Sequence, residues 1–193
     1  MNRIITISRQ FGSGGRTIAK EVASRLGIPC YDSELIEKIA EESGYTPEYI
    51  KEIGEYTVGK TGLSNILAAR DKNGHSNYDN VFIAQAKVIT KLANEGPCVI
   101  VGRCADYILK DKADCLKVFI QADNDFRSRR IIDLYGERTE KPEKRLNDKD
   151  KKRIAYYKTY TDMEWGKIEN YDLVLSSSAF GIEKCADIIA SLY

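Results

Sequence analysis

The sequence contains one histidine, His75, and five cysteines that never form a Cys-x-x-Cys pair. A single histidine in a polar stretch gives no basis for a Ser-His-Asp or Cys-His catalytic arrangement. Scattered cysteines of odd number argue against a disulfide framework and against a zinc site. We therefore expect reduced thiols in a cytoplasmic protein.

Net charge and long apolar runs are also lacking. The 30 Lys and Arg residues almost balance the 29 Asp and Glu residues, and the formal net charge is +1. This balance gives no general attraction to nucleic acid or to acidic lipid. No apolar run approaches the roughly 20 residues that span a bilayer, and residues 1–8 are too short and too polar for a signal peptide. We expect neither a nucleic-acid nor a membrane partner, and any anion site must come from locally placed Arg and Lys.

Short, continuously apolar runs alternate with segments of helical period. This pattern predicts an α/β protein in which a five-stranded parallel sheet is covered by helices on both faces. The predicted strands are Arg3–Ser8, Ile28–Tyr31, Cys98–Gly102, Leu116–Gln121 and Tyr171–Ser176. The predicted helices include Thr17–Leu26, one that starts at Thr46-Pro47, Val81–Asn94 and Ile182–Leu192.

Two polar stretches interrupt the alternation, Thr57–Asn80 and Gly136–Lys152. The first is rich in Gly, Asn, Ser and Lys, and we predict a mobile insert there. The second is dense in charge and is predicted to lie between two helices. Long polar segments inside a compact domain are often functional covers. Because no linker divides the chain, we predict a single domain over residues 1–193 that carries two inserts.

The strongest local pattern is Gln10-Phe11-Gly12-Ser13-Gly14-Gly15-Arg16-Thr17, between the first strand and the first helix. Glycines let successive backbone N–H groups converge, and the helix N-terminus adds a partial positive charge, so such a turn cradles polyphosphate. A basic side chain at the helix start reaches the β- and γ-phosphates, and the next hydroxyl binds Mg²⁺. The predicted ATP-binding residues are Gly12, Ser13, Gly14, Gly15, Arg16 and Thr17, with Arg16 catalytic and Thr17 as the metal ligand.

This turn departs from the common Gly-x-x-x-x-Gly-Lys-Ser/Thr pattern at two positions. Gln10 stands where the first glycine belongs, and Arg16 replaces lysine. Arginine keeps the positive charge but carries a bulkier, planar fork of donors. The alternatives are a glycine-rich turn without a ligand and a dinucleotide-binding turn, although Gly-x-Gly-x-x-Gly is absent from the loop.

Several further segments fit the same interpretation. They are Tyr31-Asp32-Ser33, Val101-Gly102-Arg103, Arg127-Ser128-Arg129-Arg130, Asp150-Lys151-Lys152-Arg153 and Tyr171–Val174. With these segments and the glycine-rich turn, the sequence resembles the cytidylate kinase-like group of P-loop kinases over nearly its whole length. The resemblance implies a three-layer P-loop kinase fold, with an acceptor-side insert at about residues 33–95 and a lid at about residues 127–153. It also implies transfer of the γ-phosphate of ATP to a small nucleotide such as CMP or dCMP, with ATP and Mg²⁺ as cofactors.

The resemblance also assigns acceptor-binding roles to matching residues. The residues implied for acceptor phosphate are Asp32, Ser33, Lys38, Arg103 and Arg153, with Asp150 for the base and Lys87 as a looser match. Val101 and Cys104 stand where cytidylate kinases carry acids. From the residues alone, Asp32-Ser33 and Gly102-Arg103 follow strand ends, and ligands bind at the carboxyl ends of parallel strands. Asp32-Ser33 could equally cap a helix.

The arginines that precede the second polar stretch are candidates for charge stabilisation. Arginines on a closing cover stabilise the negative charge that spreads over a transferred phosphoryl group. Because three arginines in four residues point in different directions, we select Arg129 and Arg130 as catalytic, with Arg138 or Arg145 as weaker candidates. A solvated helix face is the alternative.

Two other functions stay open at this point. One is a P-loop kinase for another small metabolite, because Val101 and Cys104 depart from the cytidylate kinase pattern. The other is a nucleotide-binding regulatory protein without turnover, for which Gln10 and Arg16 would be the signature.

Overall fold

A computed structural model describes residues 3–53, 74–112 and 114–193 of the chain. Five strands form one parallel sheet, and they are β1 (Ile4–Arg9), β2 (Cys30–Tyr31), β3 (Cys98–Val101), β4 (Cys115–Gln121) and β5 (Leu173–Ser176). Their order in the sheet is β2-β3-β1-β4-β5, which puts β1 at the centre. The predicted five-stranded parallel sheet is confirmed, and no predicted strand end differs from the structure by more than two residues.

Side chains of the central strands alternate between the two faces of the sheet, as the period of two in a β-strand requires. Ile4 and Ile100 belong to one apolar core, whereas Ile5, Ile7 and Val99 belong to the other. Both faces are therefore covered, which explains why the strands are continuously apolar.

Helices cover both faces of the sheet. Along the chain they are α1 (Gly15–Leu26), α2 (Glu34–Ser43), α3 (Pro47–Ile53), α4 (Asn77–Glu95), α5 (Ala105–Ile108), α6 (Asn124–Tyr135), α7 (Pro142–Thr161), α8 (Ser177–Phe180) and α9 (Ile182–Ser191). Helices α1 and α9 bury Ile18, Val22 and Ile189 against one face. Helices α2 and α4 bury Leu35, Ile39 and Ile89 against the other.

Both predicted polar stretches need correction where the structure describes them. Residues 57–73 of the predicted insert lie outside the described residues, but its last residues begin helix α4. The Ser76 hydroxyl accepts a hydrogen bond from the Asp79 N–H (3.2 Å), and the Asp79 carboxylate accepts one from the Ser76 N–H (2.9 Å), which is a capping box. In the second stretch, Pro142 occupies the first turn of α7, so residues 142–152 are helical.

The five cysteines are free thiols, and all but Cys30 are buried. None of the helices in the described ranges is both long and apolar enough to cross a membrane.

Candidate active site

The glycine-rich turn between β1 and α1, here called the phosphate loop (residues 10–17), needs glycine for two physical reasons. Gly12 and Gly14 have φ angles of +83° and +81°, in the left-handed region that L side chains rarely adopt. A Cβ atom on Gly12 would lie 2.9 Å from the carbonyl oxygen of Arg127, and one on Gly14 would lie 2.2 Å from the Cδ1 atom of Ile182. The backbone of α6 therefore leaves no room for a side chain at Gly12, and both glycines have φ angles that disfavour other residues.

The loop delivers the N-terminus of α1, which begins at Gly15. The first N–H groups of a helix have no partner within the helix, and the helix dipole concentrates positive charge there. Arg16 and Thr17 lie at this end with exposed side chains. Such an arrangement at the carboxyl end of the central strand is suited to an anion, and the predicted site residues of the loop lie there.

Gln10, which stands at the position of the usual first glycine, ties the loop to β4. The Gln10 N–H donates to the carbonyl of Ile120, and the Gln10 side-chain oxygen accepts from the N–H of Ala122, each at 3.0 Å. The Ser13 hydroxyl donates to the Gln10 carbonyl at 2.9 Å. A glycine at this position would lack the side-chain contact, so the unusual residue has a structural role.

Arg16 reaches from α1 toward the end of β2. Its Nε atom lies 2.7 Å from the Oδ2 atom of Asp32, and its side chain is 51% exposed. The pair lies in an open cleft of about 900 Å³ that Thr17, Ser33 and Lys51 also line. This volume falls in the range of small-molecule sites.

Helix α6 places an arginine on the opposite side of the phosphate loop. The Nη2 atom of Arg130 donates a hydrogen bond of 2.7 Å to the hydroxyl of Thr17. Arg130 also lies close to Gly14, since a Cβ atom added to Gly14 would be 3.3 Å from the Nε atom of Arg130. A guanidinium thus lies beside the hydroxyl that is the candidate metal ligand.

A buried ion pair joins α6 and α7 to the start of the loop. Arg127 of α6 pairs with Asp150 of α7, and the two side chains are 6% and 13% exposed. Asp150 accepts a hydrogen bond from the Phe11 N–H (2.8 Å), and Arg127 donates one to the Phe11 carbonyl (2.7 Å). Arg153 donates to the carbonyl of Arg9 at 2.9 Å.

A second buried network lies beneath the site, at the carboxyl end of β1. The carboxylate of Asp106 accepts hydrogen bonds from the hydroxyls of Tyr157 (2.7 Å) and Ser8 (3.4 Å). Burial raises the pKa of Asp106, and the Tyr157 and Ser8 hydroxyls oppose this shift. Burial also raises the pKa of Tyr157, reinforced by the nearby Asp106 carboxyl, so this hydroxyl stays protonated and donates.

The turn after β3 has an unusual backbone. Arg103 and Cys104 have φ angles of +58° and +55°, and both residues are buried. The Gln85 amide donates to the Arg103 carbonyl at 2.7 Å and accepts from the Tyr156 hydroxyl at 3.1 Å. Non-glycine residues in this region carry strain that surrounding contacts must hold, and such strain concentrates at functional sites.

The residues present fit a magnesium ion only when nucleotide phosphates supply most of its ligands. Among the described residues no group of three or more His, Cys, Asp or Glu could hold a metal ion. Mg²⁺ commonly binds through one or two protein oxygens together with substrate phosphates and water. The Thr17 hydroxyl at the start of α1 suits that arrangement.

Comparison with known proteins identifies the family of this chain. The model of the cytidylate kinase-like family matches residues 4–179. The chain belongs to the cytidylate kinase-like family. A cytidylate kinase from Archaeoglobus fulgidus is 30% identical to this kinase over 189 residues, covering 96% of this chain and 91% of that one. A cytidylate kinase from Methanopyrus kandleri is 22% identical over 195 residues, covering 96% and 90%.

Solved structures agree on the fold. An uncharacterised protein from Eubacterium ventriosum matches with a TM-score of 0.73 and 27% identity, covering 98% of this kinase and 96% of that chain. A shikimate kinase from Acinetobacter baumannii in complex with shikimate matches with a TM-score of 0.56 and 17% identity, covering 100% and 93%. The predicted P-loop kinase fold is confirmed, and the protein is a kinase-type phosphotransferase that binds nucleotides.

The predicted residues of the kinase do not all meet in one place. The loop residues lie together, with Arg16, Thr17, Asp32 and Ser33 on the same cleft. Lys38 instead lines a separate groove on α2 and α4. In that region Lys87 pairs with Glu42 at 3.6 Å, and both side chains are well exposed.

The arginines that follow the loop are distributed differently from the prediction. Arg130 reaches Thr17, but the exposed Arg129 donates to the carbonyl of Asp125 in its own helix at 3.3 Å. Arg138 is exposed, and Arg145 is buried with its Nη1 atom 3.4 Å from the carbonyl of Gly136. The structure therefore brings only Arg130 of these four to the loop.

From the sequence we select Arg129 and Arg130 over Arg127, and Asp106 is not singled out. Arg127 precedes Arg130 by three residues and the buried Ile131 by four, which places all three on one helical face. That spacing could have selected Arg127 and Arg130 as the loop-facing pair. Asp106 had no comparable signal, because its partners Ser8 and Tyr157 are distant in sequence.

Proposed function

We propose that this kinase transfers the γ-phosphate of ATP to a nucleoside monophosphate, with CMP or dCMP as the acceptor. The observation that carries the proposal is the phosphate loop at the start of α1, with Arg16 and Thr17 opening onto the cleft that holds Asp32 and Ser33. Family membership and the 30% identical cytidylate kinase support the choice of acceptor.

In this mechanism the protein positions reactants and stabilises charge, because phosphoryl transfer requires little covalent chemistry from the enzyme. The backbone N–H groups of residues 12–17 hold the donor phosphates, and Arg16 contacts the γ-phosphate. The Thr17 hydroxyl would hold Mg²⁺ together with the nucleotide phosphates, and the ion would neutralise phosphate charge. Arg130, already beside Thr17, stabilises the equatorial oxygens of the transferred group.

The acceptor phosphate needs no strong general base, so the lack of a histidine near the cleft is consistent with this reaction. Asp32 and Ser33 border the cleft on the β2 side, where the acceptor would bind. Arg103 and Arg153 are assigned to the acceptor phosphate through the family resemblance. Lys38 lies on a different groove, and it would need a change in α2 to take part.

The test is a panel of acceptors incubated with Mg-ATP, with ADP as the readout. We expect ADP above the acceptor-free background with CMP or dCMP, and a loss of about 100-fold in Arg16→Ala. Arg25→Ala is the matched control, because Arg25 lies on the same helix but pairs with Glu21 (3.0 Å) and with Asp187 at the surface. Absence of ADP with CMP, dCMP and UMP would contradict the acceptor.

A second candidate is a kinase for another small phosphorylated or hydroxylated metabolite. The buried Val101 and Cys104 occupy positions where cytidylate kinases carry acids, and this observation favours a different acceptor. Turnover with a non-nucleotide acceptor in the same panel would select this candidate. Calorimetric ATP binding without turnover of any acceptor would indicate a regulatory nucleotide-binding protein.

A further inference from the structure

The carboxylate of Asp150 makes three contacts with the phosphate loop and its supporting helices. One carboxylate oxygen accepts the Phe11 N–H at 2.8 Å and lies 3.4 Å from an Nη1 donor of Arg153. The other oxygen accepts from Arg127. Because each carboxylate oxygen accepts about two hydrogen bonds and the side chain is only 13% exposed, little capacity is left for another partner.

We infer that Asp150 and Arg127 form a positioning pair that fixes the start of the phosphate loop for ATP, and that Asp150 does not read the base of the acceptor. The statement about the acceptor base deepens the proposed function and rests on it. The part that concerns ATP stands on the geometry of the loop.

The pair holds both polar groups of Phe11. Asp150 accepts from its N–H, and the Nε atom of Arg127 donates to its carbonyl at 2.7 Å. The N–H and C=O of one residue are thereby fixed by two side chains that also pair with each other. Charge-assisted hydrogen bonds of this kind are stronger than neutral ones, and a planar guanidinium restricts their direction.

The positioned segment leads directly into the residues that bind phosphate. Gly12 follows Phe11, and its Cα lies so close to Arg127 that an added Cβ would be 2.9 Å from the Arg127 carbonyl oxygen. A shift of Phe11 would consequently move Gly12 and the N–H groups after it. Catalytic and binding groups need positioning to a fraction of an ångström, so even a small shift lowers affinity for the donor.

The pair also links the loop to two helices that are separate in sequence. Arg127 belongs to α6, the helix that carries Arg130, and Asp150 belongs to α7. Arg127 is 6% exposed, so its charge depends on Asp150 for compensation. Removal of one member of a buried pair leaves an uncompensated charge, and its neighbours must then rearrange.

The test compares Asp150→Asn with Asp148→Asn, an exposed acid on the same helix. For Asp150→Asn we expect affinity for Mg-ATP to fall by about tenfold or more in calorimetry, as for a lost charge-assisted hydrogen bond. The KM for the acceptor and the ratio of kcat/KM for CMP over UMP should change by less than about twofold. Asp148→Asn should match the wild type in every measurement.

Two results would overturn the inference. The first is a large change in the CMP-to-UMP ratio with unchanged ATP affinity, which would assign Asp150 to the acceptor base. The second is unchanged ATP affinity together with an unchanged ratio.

A further variant, Arg127→Lys, keeps the test decisive if Asp150→Asn does not fold. Lysine retains the charge but is a point donor on a flexible stem, so it cannot reproduce the fixed fork toward Phe11 and Asp150. We expect weaker ATP binding by this variant, with folding checked by circular dichroism, and wild-type affinity would contradict the inference. If the wild type phosphorylates no monophosphate, the proposed acceptor fails, while ATP calorimetry still tests the positioning pair.

Discussion

The Nε atom of Arg16 lies 2.7 Å from the Oδ2 atom of Asp32, so the cation that opens α1 is paired with the acid that follows β2. This contact uses the Nε atom, and among the residues that the structure describes no partner occupies the two terminal nitrogens, which can bind another anion. The residue that replaces the usual lysine can therefore bind a phosphate group and a carboxylate together.

Arg16→Lys should lower kcat by about tenfold, which is less than the effect of Arg16→Ala. The lysine ammonium keeps the charge, but it lacks the planar set of donors that would let it bind Asp32 and a phosphate group at the same time. The measurement is steady-state ADP formation at saturating Mg-ATP, with Arg25→Lys as the control for a change on the same helix. Undiminished turnover in Arg16→Lys would show that the planar guanidinium of Arg16 has no role.

Gly12→Ala should destabilise the protein by about 2 to 4 kcal/mol and weaken ATP binding. The alanine would have to adopt the unfavourable φ angle of +83°, and its Cβ atom would lie 2.9 Å from the backbone oxygen of Arg127. Gly44→Ala is the matched control, since Gly44 has a φ of +74° with nothing within 4 Å of an added Cβ, and we expect a cost of about 1 kcal/mol. Equal losses in the two variants, measured by urea unfolding, would contradict the role of close packing.

Gln10→Gly restores the first glycine of the common loop motif, yet we expect it to destabilise the protein by about 1 to 2 kcal/mol. The half-buried Ala122 N–H would lose its acceptor, the Gln10 side-chain oxygen at 3.0 Å. Gln10→Ala separates this loss from the added backbone freedom of glycine. A Gln10→Gly variant that matches the wild type in denaturant unfolding would argue against the structural role of this residue.

Asp106→Asn should change how stability depends on pH. Because burial raises the pKa of Asp106 in the folded protein, the folded state binds more protons than the unfolded state between the unfolded and folded pKa values. Its contribution to stability is therefore full below the usual carboxyl range and is lost as pH rises through the folded pKa. The melting temperature of the wild type, relative to Asp106→Asn, should increase from neutral pH toward about pH 4.5. Parallel pH profiles for the two proteins would contradict this.

The sheet and the phosphate loop could be predicted because their signals are local. Mostly apolar runs such as Ile4–Ile7 are expected when both faces of a strand are covered. The closely spaced glycines of residues 12–15 indicate the phosphate loop without reference to distant parts of the chain. The start of α7 at Pro142 was missed although proline is common at that position, because the charge density of the segment was taken as a sign of a loop.

The arrangement of side chains around the loop could not be predicted in the same way. Asp150 contacts Phe11 across 139 positions, and Arg127 contacts Phe11 across 116. Lys38 lies on a different groove from Ser33 for a geometric reason, since five residues along a helix correspond to a rotation of about 140°. Glu37, four residues on, lines the cleft with Ser33 instead.

The central position of β1 and the polar character of α7 set an order of local unfolding. All six residues of β1 are buried, and Ile4–Ile7 pair with strands on both sides. The first half of α7, residues 142–152, is highly charged and mostly exposed, and it buries one apolar side chain, Leu146. Segments with few buried apolar contacts open at lower free energy than central strands. In rising urea, α7 should exchange its amide hydrogens first and release Phe11 while the sheet remains intact. Activity should therefore disappear at a lower urea concentration than the fold.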